Sequence, residues 1–374
     1  MAMKIFSYII DLTFKSSNLS YTGIEKIRMT GKDEELFLNS VGLEIESITV
    51  NGSRVEFRTV PEEEAVRTNH RINGDSDVEV RFSGRVSESL QGIYAAHYND
   101  GVMITTQFES TGARHAFPCI DNPSYKSKFI ISVAVEKGLE VISNTSVAEK
   151  SESGGMVKYT FEETPPMSTY LVYLGIGKFD TMKETYNGKE IILAAPRGTL
   201  KSSNFPLREA ASFLSHYEDY YDIPYPIQKL HLISVPEFAA GAMENWGAIT
   251  FREILLQVSE STGNLTRQTI SEVIAHEIAH QWFGDLVTME WWNDLWLNES
   301  FATFMAFKAV DFIHKPWKFM GRFLKTETSS ALNGDALKAS HPIDVEVRNP
   351  DEIAQIFDEI SYGKGASILR MIEG

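Results

Sequence analysis

At 374 residues the chain is too long for one ordinary hydrophobic core and suits two or three domains, each able to bury enough apolar surface to fold. Lys and Arg number 35 against 51 Asp and Glu, a net charge of -16 that argues against a nucleic-acid partner and mildly favours cationic ligands, although solubility accounts for most of it. The single cysteine, Cys119, excludes an intramolecular disulfide, so a cytoplasmic location is expected. The opening stretch from Met1 to Ile10 is too short and too interrupted for a spanning helix and does not read as a secretory signal, and no membrane association is expected.

In chain order, the first half reads as strands. Lys4 to Phe14, Asp77 to Val86, Lys128 to Glu136, Met156 to Glu163 and Tyr170 to Phe179 are alternating or β-branched runs separated by Gly, Asn and Ser turns. After about Lys178 the pattern changes. Strands at Ile191 to Ala195, Lys229 to Val235 and Ala248 to Phe251 alternate with segments of helical period: Arg208 to Tyr221, Arg267 to Phe283 (capped by Asn264 or Thr266) and about Asp294 to Phe312. The expected organisation is therefore residues 1–177 as a β domain and 178–374 as a mixed catalytic domain, packed directly since no Pro/Ser linker separates them. Gly363 to Gly374 reads as the start of an amphipathic helix that ends before it can bury its apolar face, so the second domain is expected to be incomplete at its carboxyl-terminal end.

Within the second helix stands His276-Glu277-Ile278-Ala279-His280. A four-residue step puts both imidazoles on one helix face, one turn apart, so that two nitrogen ligands converge. Catalytic zinc commonly takes three protein ligands and a water, and the glutamate inside such a motif acts as general base on that water. Glu277 is the candidate base and one Zn2+ per chain is expected. Glu299, 18 intervening residues beyond His280 in Trp296-Leu297-Asn298-Glu299-Ser300, is placed to return on an antiparallel helix as the third ligand.

A peptidase that senses a free amino terminus needs acidic groups one residue from the scissile bond, where they hold the ammonium by charge-assisted hydrogen bonds. Glu244, in Gly241-Ala242-Met243-Glu244-Asn245, is the leading candidate. Gly241 and Ala242 permit close backbone approach, and an extended segment through Met243 could pair with substrate main chain as an added strand.

These residues resemble the aminopeptidase N family of zinc metallopeptidases, within the gluzincin group. The likeness runs through GAMENWG at Gly241 to Gly247, HEIAHQWFGDLVT at His276 to Thr288, WWNDLWLNESFA at Trp291 to Ala302, SYGKG at Ser361 to Gly365, and TQFESTGARHAFPCIDNP at Thr106 to Pro123, all in family order. The resemblance implies a saddle-like antiparallel β-sandwich followed by a thermolysin-like α+β catalytic domain, with further domains absent here. It implies zinc ligation by His276, His280 and Glu299, and the base role for Glu277. It further implies a hydrogen bond from Tyr362 to the oxyanion, amine recognition by Glu244 with Glu109, and a first-pocket role for Gln107. Ser300 stands where many relatives have glycine. Arg114 and Cys119 are read as structural. The chain is most similar to microbial cytosolic and tricorn-protease-associated members, which implies peptides with a free amino terminus as substrates and a functional link to a larger peptide-producing protease.

Other readings stay open at this point. A zinc endopeptidase would share the helix motif but has no use for amine-binding acids. A non-catalytic zinc-bound fragment or scaffold is the reading from another class. A bifunctional epoxide hydrolase is disfavoured because its relatives carry a second glycine where this chain has Ala242.

Overall fold

The computed structural model describes residues 3–15, 18–99, 101–201 and 203–373, so the outermost residues of the stretches that begin at Met1 and end at Gly374 lie outside the described residues. The chain divides into two compact units: residues 1–179 with 235–239 and 245–248, and residues 180–234 with 240–244 and 249–374.

The first unit is β-rich, and its sheets are open rather than closed into barrels. Among the described residues one sheet has nine strands, in the order Val147–Ser153, Met156–Phe161, Lys128–Glu136, Lys4–Lys15, Ser20–Asn39, Ala65–Arg85, Glu44–Val50 and Ser53–Val55, with Phe57–Val60 also paired to Ala65–Arg85. Its centre is a long antiparallel pair running from Ser20↔Arg85 to Asn39↔Ala65, interrupted by bulges at Lys32/Glu34 and Glu35/Phe37. Alternation along Ser20–Asn39 buries Tyr21, Ile27 and Met29 and leaves Thr22, Lys26 and Arg28 outside, the pattern of a sheet with one packed face. The second sheet runs Glu140–Ser143, Leu174–Gly177, Gly101–Gln107, Gly92–Tyr98. Aromatic side chains fill the space beneath the nine-stranded sheet, with Tyr8 stacked on Phe129 at 5.1 Å between ring centroids and Phe117 set edge-on to both.

The segment from Gln107 to Asp121 is held by charge as well as by packing. Arg114, 4 % exposed, donates through Nε to Asp121 Oδ2 at 3.0 Å and through an Nη to Glu64 Oε2 at 2.6 Å. Cys119 is fully buried. Both residues are structural in this unit, as their sequence context suggested.

The second unit is mixed. Its sheet runs Phe179–Tyr186, Lys189–Pro196, Lys229–Val235, Ala248–Arg252, Ala242–Met243, and the second and third of these strands are parallel. The helices are α1 (Phe205–Tyr221), α2 (Asn264–His280), α3 (Leu295–Ile313), α4 (Met320–Phe323), α5 (Ser329–Asp335), α6 (Pro350–Ile353) and α7 (Gly365–Glu373). The core helices α2 and α3 pack against each other. Glu209 on α1 accepts from Ser271 on α2 and lies 2.8 Å from His314 Nε2 at the end of α3, tying the three together. Among the described residues no helix is long and apolar enough to cross a membrane.

Three expectations need correction. The run Tyr170 to Phe179 is not one strand: a 3-10 turn at Thr169–Leu171 precedes the short strand Leu174–Gly177, and the next strand starts at Phe179. Burial of nearly every residue in that run removes the alternation that would have marked the break. The helix carrying the two histidines ends at His280 rather than Phe283, and its N-cap is Gly263, with no side-chain cap from Asn264 or Thr266.

Candidate active site

The two histidines extend from the last turns of α2, and Glu299 comes from the first turns of α3. Their ligand atoms meet: His276 Nε2 lies 2.9 Å from His280 Nε2 and 3.2 Å from Glu299 Oε2, and His280 Nε2 lies 3.4 Å from the same oxygen. The four-residue step and the antiparallel return helix thus do what their spacing predicts. The tautomer of His280 follows from its other nitrogen. Nδ1, 2.8 Å from the Phe283 carbonyl, donates its proton there, so in the neutral, metal-binding form of the ring the lone pair is on Nε2, the nitrogen that faces His276 and Glu299. Imidazole lone pairs and a carboxylate aimed at one point are satisfied together by a cation, so this donor set fits a zinc-type site.

The surrounding field is acidic. Glu277, 5 % exposed, sits one residue after His276, and burial pushes its carboxyl well up, against the pull of His280 and with help from Glu244 and Glu299. Glu299 is opposed by its burial, yet His280 and His276 hold it down at about 2, the ionised form a ligand needs. Glu244 is 3 % exposed, and its Oε1 lies 3.8 Å from His280 Nδ1. Burial raises its carboxyl while His280 draws it down.

Glu244 follows the two-residue strand Ala242–Met243, which pairs antiparallel with Phe251 and Thr250. The Gly241 carbonyl accepts from Arg252 N at 2.9 Å and the Glu244 carbonyl from Gln281 Nε2 at 3.0 Å, so both ends of the strand are pinned. Ala242–Met243 stands at the edge of its sheet among the described residues, the position at which a sheet can take an added strand.

Tyr362 stands on a π-turn, Ile360–Lys364, that leads into α7. Its ring lies nearly parallel to His276, 6.1 Å between centroids at 15°. A cavity of about 400 Å³ opens beside it, lined by Glu327, Ser330, Phe357, Asp358, Glu359 and Tyr362. The structure thus brings together His276, Glu277, His280, Glu299, Glu244 and Tyr362 within the second unit. Gln107 and Glu109 belong to the first unit, where Gln107 ends the strand Gly101–Gln107 and is buried.

Some participants were not visible in the sequence. The Phe283 carbonyl reaches His280 because Gly284 adopts φ of +130° and turns the chain just past the helix, a conformation L side chains rarely take. A Cβ on Gly284 would stand 3.2 Å from His280 Nδ1 and 3.4 Å from Glu244 Oε1. The glycine in the Phe-Gly-Asp run was the available signal, but nothing in the sequence said what it faced.

Two family models match, the Peptidase M1 N-terminal domain over residues 5–171 and the Peptidase family M1 domain over residues 205–374. Among curated proteins the chain is similar to tricorn protease-interacting factor F2 of Thermoplasma volcanium, 53 % identical over 373 residues, with 100 % of this chain and 47 % of the relative covered. The factor F2 of Thermoplasma acidophilum is 49 % identical over 370 residues, covering 99 % and 46 %. The leucyl aminopeptidase of Saccharolobus solfataricus is 48 % identical over 373 residues, covering 99 % and 47 %. The chain spans about half the length of these relatives. With both M1 models matched in order along the chain, and a β-rich domain followed by the mixed domain that carries the histidine pair, the chain belongs to peptidase family M1.

Proposed function

We propose that the chain is a zinc-dependent aminopeptidase that removes the first residue of peptides with a free amino terminus. The observation that supports this most is the convergence, in one largely buried acidic cluster, of a His276–His280–Glu299 donor set with two further carboxylates, Glu277 and Glu244. A zinc ion held by the three donors would supply Lewis acidity to the scissile carbonyl and lower the pKa of a water at the site. Glu277 takes the water's proton and passes it to the leaving amine. The Tyr362 hydroxyl donates to the oxyanion, a charge present in the transition state and absent from the substrate.

Glu244, joined by Glu109 on the sequence resemblance, receives the substrate ammonium, and Gln107 lines the first pocket. The edge strand Ala242–Met243, beside Gly241, pairs with the substrate's main chain, which fixes the register of the cut. Domains of 1–177 and 178–374, a cytoplasmic location, and trimming of peptides released by a larger protease complete the reading. The last of these takes its support from relatives named for interaction with tricorn protease.

Mass spectrometry of a mixed peptide pool incubated with the zinc-reconstituted chain tests the proposal. Ladders shortened from the amino end, and absent from acetylated copies of the same peptides, are expected. Internal cleavage of acetylated peptides would favour an endopeptidase. Zinc binding with no cleavage of either set would favour a non-catalytic fragment.

A further inference from the structure

Ser300 follows the ligand Glu299 on α3 and is fully buried. Its hydroxyl donates to the carbonyl of Ser361 at 2.5 Å, and Ser361 immediately precedes Tyr362. The approach is close enough to dictate the neighbouring residues. A Cβ on Gly365 would fall 1.9 Å from Ser300 Oγ and 2.8 Å from Ser300 Cβ, so the serine hydroxyl occupies the space that glycine leaves. A Cβ on Gly363 would fall 2.6 Å from the Glu327 carbonyl oxygen, so the opposite side of the turn is equally tight. Upstream, Asp358 Oδ1 accepts from Ile360 N at 3.0 Å and from Ser361 N at 3.2 Å, while its Oδ2 lies 2.8 Å from His341 Nε2.

The turn that carries Tyr362 is therefore clamped on three sides. The clamp on the catalytic side is a hydroxyl from the residue next to a metal ligand. Wide π-turns inside helices recur at functional sites, where they re-aim a side chain. A buried carbonyl at such a turn requires a partner, and Ser300 provides one.

We propose that Ser300 is a positioning residue for Tyr362: its hydroxyl latches the Ile360–Lys364 turn onto α3 and holds the phenol in register with the His276–His280–Glu299 donor set. The proposal rests on the aminopeptidase reading above, which gives Tyr362 its task. The latch links the helix that supplies the third ligand to the turn that supplies the oxyanion donor, so the two move as one body.

The test is a double-mutant cycle on the zinc-reconstituted 374-residue chain. Its readout is the dissociation constant of a phosphinic dipeptide, a tetrahedral mimic with a free amine, measured by calorimetry alongside zinc content. Ser300→Ala removes an oxygen without adding bulk and is expected to fold and keep its zinc. It should bind the mimic about tenfold more weakly, since loss of register at the reacting centre costs that order of magnitude or more. Tyr362→Phe should lose at least as much, and the double variant should be no weaker than Tyr362→Phe alone.

Two results overturn the latch: Ser300→Ala binding like the wild type, or its tenfold loss persisting in full on the Tyr362→Phe background. A wild-type chain that binds zinc but not the mimic would contradict the aminopeptidase reading instead. Amide exchange of residues 360–364 then decides the latch, faster in Ser300→Ala if it exists and unchanged if it does not.

Discussion

Replacing Glu25 by leucine is expected to stabilise the amino-terminal unit, by an amount that grows with pH. Glu25 lies in the strand Ser20–Asn39 between Ile10 and Val80 on the neighbouring strands, with none of its surface exposed. Neither carboxyl oxygen has a hydrogen-bond partner among the described residues. Burial pushes the carboxyl well above the usual range. The folded chain therefore keeps this proton at pH values where the unfolded chain, with an ordinary glutamate value of about 4.3, has released it. Because the unfolded state binds fewer protons, wild-type stability falls as pH rises from that value toward the folded one, by about 1.4 kcal/mol per unit. Even when neutral, an unpartnered buried carboxyl costs about 1–3 kcal/mol. Leucine removes both penalties: at pH 5.5, about 1.2 units above the unfolded value, the variant should gain about 3–5 kcal/mol, with up to about 2.7 kcal/mol more at pH 7.5.

Urea unfolding followed by far-ultraviolet circular dichroism at the two pH values reads this directly, and melting temperature should rise by about 2–4 °C per kcal/mol in a unit of this size. Glu25→Gln, which keeps a polar group but no titration, should lose the pH dependence without the full gain. A leucine variant no more stable than wild type, or a gain equal at both pH values, would refute the reasoning.

Glu277→Gln should retain one equivalent of zinc and lose at least 10²–10⁴-fold in turnover, roughly the contribution of a general base. Retained turnover would remove Glu277 from that role. Glu244→Ala should cost about 10–100-fold in kcat/KM on amino-acyl anilides, the loss of one hydrogen bond to a charged group, and an unchanged value would remove it as the amine anchor. Arg114→Met leaves Asp121, 4 % exposed, without its guanidinium. Breaking a buried pair in this way should cost about 3–5 kcal/mol, and a melting temperature within a degree of wild type would contradict it.

The site was more legible in the sequence than the β-rich unit that precedes it. A four-residue step on a helix is a geometric statement, so His276 and His280 could be placed on one face before any fold was known, and Glu299 followed from the length needed for a return helix. Strands with clean ends, such as Lys128–Glu136 and Lys229–Val235, were bounded correctly. The 20-residue strand Ser20–Asn39 was missed because two bulges shift its alternation, and its outward positions are charged. The hydroxyl bond from Ser300 to Ser361 joins residues 61 apart through a glycine-sized gap, a relation no local pattern encodes.

The most direct test of the central claim is release of chromophore from amino-acyl anilides by the 374-residue chain, stripped with chelator and then given zinc, beside the acetyl-blocked anilides. The expected result is no release after stripping, recovery with one equivalent of zinc, and none from the blocked substrates at any zinc level. Release that survives stripping, or equal release from blocked and free anilides, would contradict it.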